Sequence, residues 1–208
     1  MPEISRIKKN SFYRDASREY KPMLLILFTL TILIAIVFIL IYNSIINSKN
    51  SVIRSWSDVA TYQRQKIKLL PDLERLTREY LTHEKQLLTG VAELRSAIAR
   101  VSPGKIDIDA LSDVEQKTQS VLSGFRAVAE AYPDLRSADL LRDLMAEMIE
   151  LEENIAAAIT IFNRTVADFN SGIEVFPNSL VNAYGTRLKT YPAFRDSEAE
   201  SGIEYKFR

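Results

Sequence analysis

The chain has no cysteine. That absence excludes disulfides, zinc–thiolate sites, iron–sulfur clusters, thiol nucleophiles and acylated lipoprotein cysteines together. It leaves the compartment open, since a cysteine-free chain folds in oxidising or reducing surroundings alike. Histidine occurs once, at His83. A ferritin-like di-iron bundle needs two Glu-x-x-His motifs, and the chain has none. Neither sign of charge is in excess, with 27 Lys and Arg against 27 Asp and Glu. No global field therefore draws the chain to nucleic acid, and its aromatics do not alternate with basic residues as a single-strand-binding surface requires. Six glycines and seven prolines in 208 residues favour long helices over a turn-rich β fold. A Gly-rich phosphate loop, a Gly-x-Ser-x-Gly elbow and a Ser/His/Asp arrangement are all missing. The sequence thus names no catalytic, cofactor-binding or metal-binding residue. It reads as a non-enzymatic protein without a small-molecule substrate.

One long apolar run is present. Pro22 to Ser48 carries no charged side chain, and its heart is Met23 to Tyr42. About 20 apolar residues are needed for a helix to cross the hydrocarbon core. Thr29 and Thr31 interrupt the aliphatic run, and each can return its hydroxyl to a carbonyl one turn back. Tyr42 suits the far interface, and Pro22 suits a first helical turn. A cleaved signal peptide has a shorter apolar region and then small residues; here YNSIINSK comes next. Residues 22–43 are therefore expected to be a single retained transmembrane helix. Arg6, Lys8, Lys9, Arg14, Arg18 and Lys21 precede it, and only Lys49 and Arg54 come soon after it. The positive-inside rule then puts the basic tail, residues 1–21, in the cytoplasm and the rest outside.

The remainder carries helical stripes. Leu141, Leu144, Met148, Leu151, Ile155, Ile159, Phe162, Val166, Phe169 and Ile173 lie on one face of a long helix, with Glu147, Glu150, Glu152 and Glu153 read as its solvated face. A second stripe runs from Leu73 through Leu76, Tyr80, Leu87, Val91, Leu94 and Ile98 to Val101, and a third joins Leu111, Val114, Val121, Phe125, Val128 and Tyr132. Behind the anchor, Ile45, Val52, Trp56, Val59, Gln63, Ile67 and Leu70 continue at helical spacing, so the first bundle helix is expected to grow from the transmembrane one. Pro71, Pro103-Gly104 and Pro133 mark breaks. Asp72, then Asp109 or Ser112, then Asp134 or Ser137 are the expected caps, and Gly172 is the expected left-handed C-cap of the last long helix. Short connections make neighbours antiparallel. The expected fold is all-α: an anchor, an antiparallel bundle of long helices (residues 44–175), and an irregular tail (176–208) lying on the bundle.

Particular segments carry a family likeness. YNSIINSKNSVIRSWSD, LLPDLERLTREYLTHE, AYPDLRS, the Phe-Asn pairs at 162–163 and 169–170, Phe176-Pro177, Ala183-Tyr184-Gly185, Tyr191-Pro192 and the aromatic end at Tyr205 and Phe207 resemble, in this order and spacing, the LemA family of bacterial membrane proteins. The likeness covers about residues 42 to 207. It implies an all-α antiparallel bundle, a bacterial source and a cell membrane, with a specialised organelle membrane such as the magnetosome among the settings. It implies no catalytic residue. The chain departs from the family in its 21 residues before the anchor and in DVATYQRQKIK after Trp56-Ser57.

Two candidate features remain. His83 falls on the second stripe, where a buried polar switch or a metal ligand is weighed against the favoured reading, a hydrogen-bonded residue that fixes register. Tyr191, Phe194, Tyr205 and Phe207 form a candidate interaction patch on the C-terminal tail. The function expected is that of an interaction, scaffold or membrane-organising protein of the envelope, acting through unknown protein partners or self-association. Its alternatives are an accessory subunit of a membrane protease or transporter, or an unrecognised enzyme.

Overall fold

A computed structural model describes residues 2–80, 85–131 and 139–195, with side chains over 21–78, 85–131 and 140–195. His83, Pro133, Asp134, Ser137, Tyr205 and Phe207 lie outside the described residues.

The protein is all-α. Helix α1 spans Pro2–Gln65 and ends in a 3-10 turn, Lys66–Lys68. Helices α2 (Leu70–Tyr80), α3 (Lys85–Arg100), α4 (Ile108–Ala131) and α5 (Asp139–Glu174) come next, then one turn of α6 (Asn178–Val181) and a π-helical turn, Asn182–Thr186. The only pairing of strand type among the described residues is an isolated bridge between Ser102 and Lys105. α5 packs along α1, and α4 folds back along α3. Ser55 meets Thr165 and Lys66 meets Glu152; residue numbers fall on α5 as they rise on α1, so the two helices are antiparallel.

α1 is roughly 96 Å long at 1.5 Å per residue, and its apolar stretch and its C-terminal part have different surroundings. Its most apolar 18-residue window has a mean hydropathy of 3.3, and none of that window is buried within the protein. It is long and apolar enough to cross a membrane. Thr31 returns its hydroxyl to the Leu27 carbonyl (2.8 Å) and Thr29 to that of Ile26 (2.9 Å), so neither leaves an unsatisfied group in the run. From Ile45 onward the same helix is core: Ile45, Val52, Trp56, Val59 and Ala60 are buried. Growth of the first bundle helix out of the apolar segment is as expected. The helix also extends back through the basic tail to Pro2, which puts Pro22 inside it rather than in its first turn. Proline lacks the N–H for one helical bond; no glycine or second proline lies between 3 and 21 to stop the helix there.

The stripes form the core. Leu73, Leu76, Leu87, Val91, Leu94, Ile98 and Val101 are buried, as are Leu111, Val114, Val121, Phe125 and Val128. On α5 eight of the ten striped residues are buried, and Leu151 and Ile159 are half-buried. Pro71 falls in the first turn of α2, where its missing N–H costs nothing.

Three local expectations are corrected. The cap of α4 is neither Asp109 nor Ser112 but Asp107, whose Oδ1 accepts the Ala110 N–H at 3.0 Å. That hydrogen bond is the main reason the Asp107 carboxyl titrates below its ordinary value. α5 does not end at Ser171-Gly172. It continues to Glu174 and thereby buries Ile173, while Asn178 Nδ2 donates to the Gly172 carbonyl at 2.9 Å. No described glycine has a positive φ; the left-handed residue is Arg187, at φ 51°, after the π-helical turn. Finally, Glu152 does not belong to a solvated face.

Candidate functional site

Two arrangements stand out from ordinary helix packing. The first is a polar layer inside the bundle. Lys66 is fully buried at the turn that ends α1. Its Nζ lies 2.5 Å from Glu152 Oε1 of α5 and 3.9 Å from Glu115 Oε1 of α4, and it donates to Thr118 Oγ1 at 3.1 Å. Thr118 in turn donates to the Val114 carbonyl, and buried Gln63 donates through Nε2 to Glu115 Oε1 at 2.5 Å. Lys66 and Glu152 form a charge pair, and among the described residues Gln63 Oε1 has no hydrogen-bond donor. Burial pushes the Glu152 carboxyl above its ordinary value; Lys66 opposes that shift and Glu115 adds to it. The layer ties three elements in one register, the best-attested role for buried polar groups. Glu115 and Glu152 also edge a cleft of about 780 Å³ between α4 and α5, with Phe194 and Arg195 at its rim. Glu147, Glu150 and Glu153 remain exposed.

The second arrangement is the C-terminal segment. Tyr191 and Phe194 are half-buried against their own bundle. Asn170 Oδ1 accepts the Tyr191 N–H (2.9 Å), and its Nδ2 donates to the Tyr191 carbonyl (2.8 Å). Asn163 does the same for Phe194, at 2.8 and 2.9 Å. Asn182 repeats the device within its own turn, accepting the Leu188 N–H and donating to its carbonyl. The Tyr191 ring lies 5.3 Å from Phe169, centroid to centroid. Each Phe-Asn pair thus gives a ring to the core and an amide to the tail.

The Trp56-Ser57 pair has a parallel role. Trp56 is buried, its ring 5.4 Å from Phe162, and its Nε1 donates to the Ser102 carbonyl at 2.8 Å. Ser57 Oγ donates to the carbonyls of Ile53 and Pro103. Together they fix the 101–105 turn on α1. Among the described residues no three His, Asp or Glu side chains converge as metal ligands would.

The architecture defines a class: an antiparallel helical bundle carried on the end of a long helix whose preceding apolar stretch is unburied. Within that class the assignment is specific. The LemA family model matches residues 55–207, and the chain belongs to the LemA family. No curated protein matches it.

Proposed function

We propose that this protein is a non-enzymatic, membrane-anchored interaction module of the bacterial envelope. The apolar segment of α1 is its retained anchor, and the bundle binds protein partners or further copies through its outward faces. One observation carries this reading: α1 is a single helix from the apolar run into the core. A signal sequence is separable from the domain behind it, whereas here Ile41 already packs against the core and the turn at Gly185 lies on Phe38 and Tyr42. Cleavage after the run would uncover the bundle's own end.

The outward faces supply room for partners. One groove of about 440 Å³ runs between α1 and α5 past Tyr62, Ala157 and the exposed Ile161, and the larger cleft lies between α4 and α5. The bundle is extracytoplasmic in this proposal, and the anchor lies in the cell membrane or a specialised organelle membrane.

A photo-crosslinking residue at Ala157 or at Gln119, one per groove, tests the proposal in living cells. It predicts discrete protein adducts from at least one position. Absence of adducts from both, together with turnover of a generic hydrolase substrate that survives re-purification, would replace it with the enzyme alternative.

A further inference from the structure

The far end of the bundle's tail returns to the anchor. α6 and the π-helical turn both pack on α1. A Cβ added at Gly185 would lie 3.2 Å from Phe38 Cζ and 3.4 Å from Tyr42 Cδ2, so the absence of a side chain there permits close approach. Phe38 and Tyr42 form the last turn of the apolar run. Phe38 sits about 6 Å deeper along the helix than Tyr42, at 1.5 Å per residue. The turn at 182–186 therefore lies level with the edge of the apolar run, not above it.

The surface of this segment is unlike the rest of the bundle. Val175 to Thr186 contains no charged residue. Val181 faces inward and is buried, whereas Phe176 is 78 % exposed, Tyr184 79 %, Val175 53 % and Leu180 52 %. Phe176 stands in the turn before α6, joined to Pro177 by a cis peptide bond, Leu180 is in α6, and Tyr184 is in the π-helical turn. Water would meet four large apolar side chains within this short segment, and exposed apolar surface of that kind marks interaction sites. The polar backbone of the segment is meanwhile occupied internally, through Asn178 to Gly172 and Asn182 to Leu188. Arg187 and Lys189, both exposed, come directly after this segment, and basic side chains there suit anionic lipid phosphates.

We infer that residues 175–186 are a second membrane-contacting element, which inserts Phe176, Leu180 and Tyr184 into the interfacial zone of the lipid leaflet on the bundle's side. This rests on the reading of residues 23–42 as a retained span. Apolar side chains on such elements enter the headgroup–acyl boundary by roughly 5–10 Å, and a tyrosine with an apolar ring and polar tip suits that depth. A bundle held by a single helix is free to tilt about it. Two contacts fix its orientation, so its grooves face a set direction relative to the bilayer.

The test uses the full chain in lipid nanodiscs. The absence of cysteine lets single substitutions carry an environment-sensitive fluorophore: Ala183→Cys in the patch, Phe28→Cys in the span, and Ser96→Cys on the exposed face of α3. Lipids bearing a spin label near the headgroup, and aqueous iodide, serve as quenchers. Lipid quenching at 183 should be several-fold stronger than at 96, with iodide showing the reverse order. Adding Phe176→Ser and Tyr184→Ser to Ala183→Cys should transfer position 183 to iodide quenching while the helical circular dichroism stays unchanged. Quenching of 28 but not of 183 by lipid would overturn the inference and leave the anchor intact. Failure at 28 itself would overturn the anchor. Protection of 183 from both quenchers would assign the patch to a second copy of the chain instead of lipid.

Discussion

Trp56→Ala lowers the stability of the bundle by about 4 kcal/mol, near the middle of the range for a buried tryptophan truncated to alanine. Three losses combine at this position. The ring is wholly buried on the core side of α1, so truncation leaves a cavity that helices on either side cannot close without shifting. Its tilted contact with Phe162 joins α1 to α5 and goes with it. The Ser102 carbonyl also loses its donor, which loosens the 101–105 turn that sets how α3 and α4 pair. Trp56→Phe separates these losses. It keeps most of the apolar contact and removes the hydrogen bond, and should cost about 1–2 kcal/mol. Urea unfolding of the full chain in mild detergent, followed by circular dichroism, reads both. Equal costs for the two substitutions would mean that the hydrogen bond to the turn, and not the packing, dominates.

Lys66→Met destabilises the bundle by about 3 kcal/mol near neutral pH, the lower end of the cost of breaking a buried pair. Methionine fills the volume of the lysine stem, so the loss is electrostatic. Without the ammonium, Glu152 and Glu115 face each other across the polar layer. The Glu152 carboxyl is already raised from 4.5 by burial, and loss of Lys66 raises it further. A carboxyl with a raised folded-state value binds its proton more tightly in the folded chain. Its contribution to stability is present in full below 4.5 and is lost as pH rises through the raised value. The deficit of Lys66→Met relative to the native chain is therefore greatest at neutral pH and shrinks as pH falls toward 4.5. Adding Glu152→Leu should recover most of the loss at neutral pH, because a buried pair replaced by apolar residues is often close to neutral. A deficit that is the same at every pH would show that the loss does not come from the ionised Glu152 carboxyl.

The apolar skeleton of this fold is legible in the sequence, and its polar layer is not. The stripes on α3, α4 and α5 are buried where periodicity puts them, because apolar burial is the dominant driving force and leaves the plainest pattern. The same periodicity contains Lys66, Thr118 and Glu152. Lys66 is three residues after Gln63 and four before Leu70; Thr118 stands between Val114 and Val121; Glu152 stands between Met148 and Ile155. Each is in phase with its stripe, and a pattern of apolar residues alone passes over all three. Spacing favours Ile67 as the core position, yet Ile67 is half-buried beside a fully buried Lys66. A charged residue in phase on one helix is ambiguous. Opposite charges in phase on two helices are a signal, and it becomes readable only once the pairing of α1 with α5 is known.

The C-terminal segment shows a different limit. FPNSLVNAYG allows a short helix, and one turn of helix is present at Asn178–Val181; YPAF carries neither helix nor strand. The tertiary bonds that hold them are hidden at that level, because an asparagine pairing with a backbone 21 or 31 residues away leaves no periodic trace. The two Phe-Asn pairs, seven residues apart, are the available sign. The structure places Tyr191 and Phe194 on the protein's own bundle, while the large apolar side chains exposed among the described residues of the tail are Phe176, Leu180 and Tyr184. Exposure of that kind is not written in composition; it depends on which side of a single turn meets α1.

The proposed function rests on one uncleaved helix that holds the bundle on one side of a membrane. Ser11→Cys and Ser197→Cys, each in the otherwise cysteine-free chain, report that arrangement through a membrane-impermeant maleimide on spheroplasts. Labelling at 197, with 11 protected until the cells are lysed and then labelled in full, is the predicted result. Loss of position 11 from the mature chain would show the apolar run to be a cleaved signal, and labelling at 11 alone would place the bundle in the cytoplasm; either outcome is incompatible with an anchored, extracytoplasmic bundle.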